Sequence, residues 1–427
     1  MKQILICGTG PTAVQYAVLF DKLPHSAKVS MVGRAHTSQR SKAFYDDVVA
    51  HDLTVEVEVQ NAKHRALEGS KQLDNIYADY KDVDGQFDTI VLAVTADAYL
   101  ETLKQLPNQV LTSAKTIVLV SPTLGSHAIV KGYLSSDDIE VISFSTYLGD
   151  TRVLADVPRY RVCSTGMKKC LYIGSTAQQS ENVTVLKALF DRLGIEMKPT
   201  YSALEAESRN ISLYVHPPLF MNQLSLDTIF NLEQRPFYVY KLFPEGPITM
   251  TLIHEMRLLW NELSAVIGTF DVEGINLLQF MVKENYPLRD ETMSDDDIDQ
   301  FVSLPEIHQE YLLYVRYSAI LIDPFSEPNA QGQYFDFSAV PFKTVYKNLE
   351  HRYDIPRMPK EDYYRTKMIQ GIADMKNIDT PMIDTFIKRY EDAMVAFSNQ
   401  QLPESERNSN FEVKTFEGDL NMVAQYI

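Results

Sequence analysis

"ILICGTGPTAV", residues 4–14, decides the fold of this chain. Residues 4–7 are an unbroken apolar run of the kind that forms a strand buried on both faces. Pro11 suits the first turn of a helix, where no backbone donor is needed. Between them Gly8, Thr9, Gly10, Pro11 and Ala13 make a GxGxxA turn. The first glycine of such a turn makes the tight bend and the second lets backbone approach a pyrophosphate. The small third residue packs helix on strand. The same letters also fit a strand-to-helix turn that holds no ligand, so the residues beyond Ala13 must decide between the two.

Beyond that turn the chain alternates β-rich and helical runs. The runs "KVSMVG", "TIVLAVTA", "TIVLVS", "EVISFST" and "CLYIGST" read as strands, and "TAVQYAVLFDKL", "YLETLKQL" and "NVTVLKALFDRLGI" read as helices. Near-continuous apolar strands separated by helix-length segments predict a doubly wound, Rossmann-like parallel sheet. After residue 200 the pattern lengthens into aromatic-rich helical stretches such as "ITMTLIHEMRLLWNELSAVIGTF" and "PEIHQEYLLYVRYSAILI". The expected organisation is a dinucleotide-binding α/β domain over residues 1–200 and a mainly α-helical domain over 201–427. "SDDD", at 294–297, reads as a helix N-terminal cap rather than a metal site.

The second strand indicates which dinucleotide. An NAD site places Asp or Glu at its end to hold the ribose 2'-hydroxyl. Here that end carries Gly33 and Arg34, followed by Ser38 and Arg40. Cations and hydroxyls suit a 2'-phosphate, so NADPH is expected ahead of NADH. Arg40 also reads as a solvated loop charge. Thr95 and Ser121 follow two later strands, where strand C-termini face the ligand crevice of such a sheet.

Composition narrows the function classes. The chain has 427 residues, 45% of them hydrophobic and 23% charged, which suits two or three folded domains. A formal net charge of -17 argues against a nucleic-acid partner, which needs clustered Lys and Arg. The three cysteines, Cys7, Cys163 and Cys170, are widely spaced and suggest neither a disulfide framework nor a zinc site. The N-terminal apolar run is too short for a signal-peptide core, and no stretch reaches the roughly 18 apolar residues of a membrane span. A cytoplasmic protein with no membrane partner is expected, and the aromatic helices offer a face for a homodimer.

In the second half, "ESRNISLYVHPPLFMN" groups Asn210 and His216 with Pro217 and Pro218. A GxGxxA domain followed by a helical domain with an Asn…His-Pro-Pro segment resembles the opine dehydrogenases, the octopine and nopaline dehydrogenase family. Long stretches such as "CGTGPTAVQ", "MVGRAHTSQRSK", "VISFSTYLGDTR", "SLYVHPPLFMN" and "IPRMPKEDYYRT" resemble its staphylopine-type, metallophore-making branch.

The resemblance implies reductive N-alkylation, in which a 2-oxo acid condenses with the primary amine of an aminobutanoyl-histidine intermediate and NADPH reduces the imine. It implies no metal for the enzyme, since the metal is the product's cargo. The catalytic histidine falls on His216, acting as general acid and base. The family's later Asp partner falls on Asp323, with Arg316 upstream, although the spacing between those two departs from the octopine pattern and Asp323 reads equally as a turn residue before Pro324. Arg316 is also a candidate for a substrate carboxylate, and Asn210 for the substrate side. Asp150, in "STYLGDTR", is placed to repel a second carboxylate and so to favour pyruvate over 2-oxoglutarate. Two other readings remain: an NADP-dependent dehydrogenase of a hydroxy acid or sugar phosphate, and a non-enzymatic NADP-sensing module.

Overall fold

The computed structural model describes residues 1–427 except 155–156, 234–235, 286–287, 321–329, 334–335 and 337. The chain forms two compact units, Met1–Asn210 with Glu417–Ile427, and Ile211–Phe416. The first unit takes back the C-terminal helix Glu417–Tyr426, which packs on the helix Ser126–Leu134.

The apolar runs of the first unit form one large sheet. Its strand order is Glu196–Pro199, Cys170–Ser175, Glu140–Phe144, Thr116–Leu119, Thr89–Leu92, Gln3–Cys7, Lys28–Val32, Asn75–Tyr77. The six from Glu140–Phe144 to Asn75–Tyr77 are parallel, with Ile4 opposite both Val29 and Thr89. The sequential order reverses at Gln3–Cys7, the crevice position for a dinucleotide in a doubly wound sheet. Cys170–Ser175 then runs antiparallel to Glu140–Phe144, so the sheet is mixed at that end. Thr89–Leu92 and Thr116–Leu119 are buried throughout, as strands covered on both faces must be.

A second, four-stranded sheet is ordered Gly69–Gln72, Thr54–Val59, Arg161–Ser164, Thr151–Arg152. Its central strand "TVEVEV" alternates, with Val55 and Val57 buried. The Glu207 carboxylate is fully buried in the first unit. It accepts the backbone N–H groups of Gly125 and His127, each at 2.8 Å, and the Ser143 hydroxyl at 2.8 Å. This caps the N-terminus of Ser126–Leu134 and fixes the loop after Thr116–Leu119.

The second unit is mainly helical. Met250–Gly268 starts at a Thr249 cap whose hydroxyl accepts Leu252 N–H at 3.2 Å, and it buries Leu252, Met256, Leu259 and Leu263 on one face. Helices Ser212–Phe220, Glu306–Ala319, Arg357–Met375 and Pro381–Gln401 surround it. Ser294 caps Asp295–Asp299, so "SDDD" is the acidic first turn of a short helix. Among the described residues no helix is long and apolar enough to cross a membrane.

Candidate active site

In the first unit, the turn after Gln3–Cys7 is built as a cradle. Gly8 has φ +136°, a conformation that side chains rarely adopt, and a Cβ there would lie 2.5 Å from the Ala93 carbonyl oxygen. Gly10 is the N-cap of helix Pro11–Phe20, Pro11 is its first residue, and Ala13 is fully buried against the sheet. A Cβ on Gly10 would meet nothing within 4 Å, which leaves room for a ligand to approach the helix N-terminus. Thr9 donates from its hydroxyl to Ser41 Oγ at 3.3 Å.

The turn after Lys28–Val32 is closely packed by side chains. A Cβ on Gly33 would collide with Thr9 and Ser41. The buried Ser41 hydroxyl accepts Arg34 N–H at 2.8 Å, and Ser38 caps helix Gln39–Ala50 through Ser41 N–H. Arg34 and Arg40 are exposed, and among the described residues neither guanidinium is in an ion pair. Lys42, by contrast, is paired with Asp46. Two unanswered cations beside an open helix N-terminus fit the 2'-phosphate and pyrophosphate of NADP(H). Ser41 was not foreseen, because a serine in a helix first turn carries no distinguishing pattern. Thr95 is exposed past Thr89–Leu92, and Ser121, half-buried past Thr116–Leu119, donates its backbone N–H to Tyr99 Oη at 3.3 Å.

In the second unit, His216 lies in helix Ser212–Phe220, immediately before Pro217 and Pro218. Those prolines withhold two backbone donors from the preceding turn. The ring is held edge-on to Phe220, with centroids 5.3 Å apart. His216 Nδ1 lies 3.0 Å from Asp362 Oδ1, on helix Arg357–Met375. The Asp362 side chain is 1% exposed and the His216 side chain 16%. An ionised carboxylate on Nδ1 makes that nitrogen the N–H donor, which leaves Nε2 as the basic one. Among the described residues Nε2 has no hydrogen-bond partner.

Asp323 lies outside the described residues. Among the described residues the carboxylate on His216 is Asp362, in the stretch "IPRMPKEDYYRT". Its neighbours Arg357, Lys360, Glu361 and Arg365 give that stretch the composition of a solvated helix face, which hid it. In fact Glu361, Asp362 and Arg365 are all buried.

Arg316 is buried in Glu306–Ala319, its guanidinium carbon 4.8 Å from the Tyr317 ring centroid. Asn210 is buried at the end of the first unit. Asp150 is exposed and engaged by Arg152, whose Nε donates to it at 2.9 Å, and by the Thr165 hydroxyl at 3.0 Å. Arg152 thus answers the charge that was to repel a second carboxylate. Among the described residues no group of three or more His, Cys, Asp or Glu could hold a metal ion.

A family model for staphylopine dehydrogenase matches residues 2–427. The chain is 52% identical over 429 residues to the staphylopine synthase of Staphylococcus aureus, covering 100% of this chain and 98% of that protein. It is 33% identical over 399 residues to the pseudopaline synthase of Pseudomonas aeruginosa, covering 93% and 91%. Among solved structures, yersinopine dehydrogenase with NADP+ bound matches with a TM-score of 0.91 at 28% identity, over 100% of this chain and 99% of that one. Octopine dehydrogenase in complex with NADH and agmatine shares the fold, with a TM-score of 0.66 at 16% identity over 100% and 96%.

Proposed function

The chain belongs to the staphylopine dehydrogenase family, and on that premise we propose that it condenses a 2-oxo acid with the primary amine of an aminobutanoyl-histidine intermediate to give a staphylopine-type opine metallophore. It is an NADP-dependent opine dehydrogenase. The reduced cofactor, when bound, supplies hydride to the imine carbon. The residues that would hold it are the backbone of Gly8, Thr9 and Gly10 for the pyrophosphate, and Arg34 and Arg40 for the 2'-phosphate. NADPH is preferred to NADH for that reason.

The observation that carries the proposed chemistry is the His216–Asp362 pair. Imine formation needs a proton taken from the attacking ammonium and a proton given to the leaving hydroxyl of the carbinolamine. His216 Nε2 accepts the first and returns it for the second. Asp362 holds the ring in the tautomer that can do this and stabilises the imidazolium formed between the two steps. Pro217 and Pro218, which stiffen the helix beside the ring, support a fixed orientation. Pyruvate is proposed ahead of 2-oxoglutarate. Arg152, already engaged by Asp150, is not a spare cation for a second carboxylate.

Mass spectrometry of the product formed from NADPH, the amine and either pyruvate or 2-oxoglutarate tests this reading. The expected product has the mass of the amine plus that of the 2-oxo acid, less water, plus two hydrogens. NADPH consumption with a 2-oxo acid and no amine would overturn it in favour of a hydroxy-acid dehydrogenase.

A further inference from the structure

Behind Asp362 lies a buried set of charges that the acid–base chemistry of His216 does not use. Arg365 Nη1 is 3.7 Å from Asp362 Oδ1, the same oxygen that faces His216. Arg365 Nη2 donates to Glu361 Oε1 at 2.5 Å, and Glu361 Oε2 lies 2.7 Å from Arg357 Nε. The side chains of Glu361 and Arg365 are each 4% exposed, whereas that of Arg357 is 55% exposed. Asp362 Oδ2 and Arg365 Nε and Nη1 are buried and take no hydrogen bond among the described residues. With so little local hydrogen bonding to spread the charge, these groups act on one another through a poorly screened interior.

We propose that Glu361 and Arg365 are a positioning pair that sets the proton affinity of His216 through Asp362. Arg365 draws on the carboxylate that would otherwise serve the imidazolium alone, and Glu361 limits how far it does so. Two buried carboxylates against one buried guanidinium leave a single negative charge, which a proton on His216 neutralises. Arg357 stands mostly in solvent and is screened. Glu361 feels the same set: burial opposes its ionisation, yet Arg365 and Arg357, then His216, hold its carboxyl below the usual range.

The groups on neighbouring elements leave this balance to the buried set. From Pro381–Gln401, Tyr390 senses Asp362, and burial drives its ionisation far upward, so it stays neutral. Glu391 is engaged by the Tyr363 hydroxyl and by Lys367. From Met250–Gly268, Glu255 is paired with Arg389, Arg257 with Glu306 and Glu310, and His254 with Glu310. Asp227, on Gln223–Ile229, accepts from the Gln223 amide. On the same helix as Glu361, Lys360 is paired with Asp354.

This inference rests on His216 being the acid–base group, and its test is a titration that needs no substrate. In the full-length protein, the His216 imidazole is followed by NMR with labelled histidine, its signal assigned by its absence in His216→Gln. Glu361→Gln makes the buried set neutral and should move the His216 titration to lower pH by about one unit. Arg365→Gln leaves two negative charges and should move it to higher pH by about as much. The double variant should return it close to the parent. Glu361→Asp and Arg365→Lys, which keep the charges, should titrate near the parent, and Glu361→Met and Arg365→Met, which remove the same charges from buried positions without a polar group to satisfy, should give the same opposite shifts if the glutamine variants do not fold. Shifts of one sign in both single variants, or no shift in either, would overturn the inference. If opine forms and the titration does not move, the pair alone is refuted. If the titration moves and no opine forms, the proposed function alone is refuted.

Discussion

His216 Nδ1 and Asp362 Oδ1 lie 3.0 Å apart, joining two helices of the second unit through a contact whose carboxylate is sealed from water. A surface pair of this kind contributes little, because solvent screens it. Here the carboxylate has lost its hydration, and the ring is its hydrogen-bonded partner, with the buried Arg365 guanidinium beyond it. Asp362→Asn keeps an acceptor near the ring but removes the charge that stabilises the imidazolium. Turnover is expected to fall by about 100-fold or more with little change in NADPH affinity. Steady-state kinetics beside a cofactor-binding titration check this.

Arg34 and Arg40 have no anionic partner among the described residues, so removing either charge breaks no ion pair of the protein. Charge-assisted hydrogen bonds contribute about 1.5–3 kcal/mol each, so Arg34→Ala should raise KM for NADPH by roughly 10- to 100-fold. KM for NADH, which lacks the 2'-phosphate, should change little. The ratio of the two KM values is the readout, and added salt should narrow it.

Gly33 lies where a side chain would collide with Thr9 and Ser41. Gly33→Ala must displace the Thr9 and Ser41 side chains, and with them the hydrogen bonds that Ser41 makes to Thr9 and to Arg34 N–H. A stability loss of about 1–3 kcal/mol, typical of overpacking, is expected with weaker cofactor binding. Thermal melts with and without NADP+ check both effects.

Asp419, at the start of the returning C-terminal helix, is pushed up to about 6 by burial and by Asp97, against the pull of Lys104. Because its folded value lies above the unfolded one of 3.8, the folded state binds the proton more tightly. Its contribution to stability is therefore greatest below about pH 4 and is lost as pH rises toward 6. Asp419→Asn should stabilise the fold at pH 7 to 8 by an amount on the order of 1 kcal/mol, seen as a higher Tm, and leave Tm nearly unchanged at pH 4. The loss of a negative charge at the helix N-terminus offsets part of the gain. Melting curves across pH give the answer.

The sheet was legible because its signal is local. Apolar runs alternate with helical stretches through the first 200 residues, and six of the eight strands carry their own evidence of burial, whereas Asn75–Tyr77 and Glu196–Pro199 at the two edges are too short and polar to do so. The small second sheet was not read, since "GSKQ", at 69–72, is polar and becomes a strand only by pairing with Thr54–Val59. The return of Glu417–Tyr426 to the first unit depends on a tertiary surface that no nearby residue announces. For the site, His216 stood out through the two prolines beside it. Asp362 did not, because burial of a charged helix face is a property of its neighbours in space rather than in sequence.

The most direct test of the account is turnover by His216→Gln, measured as NADPH oxidation in the presence of amine and 2-oxo acid together, with NADPH binding measured on the same preparation. The account predicts cofactor affinity equal to the parent and turnover lower by about 100-fold or more. Parental turnover in a variant that lacks the imidazole would contradict it.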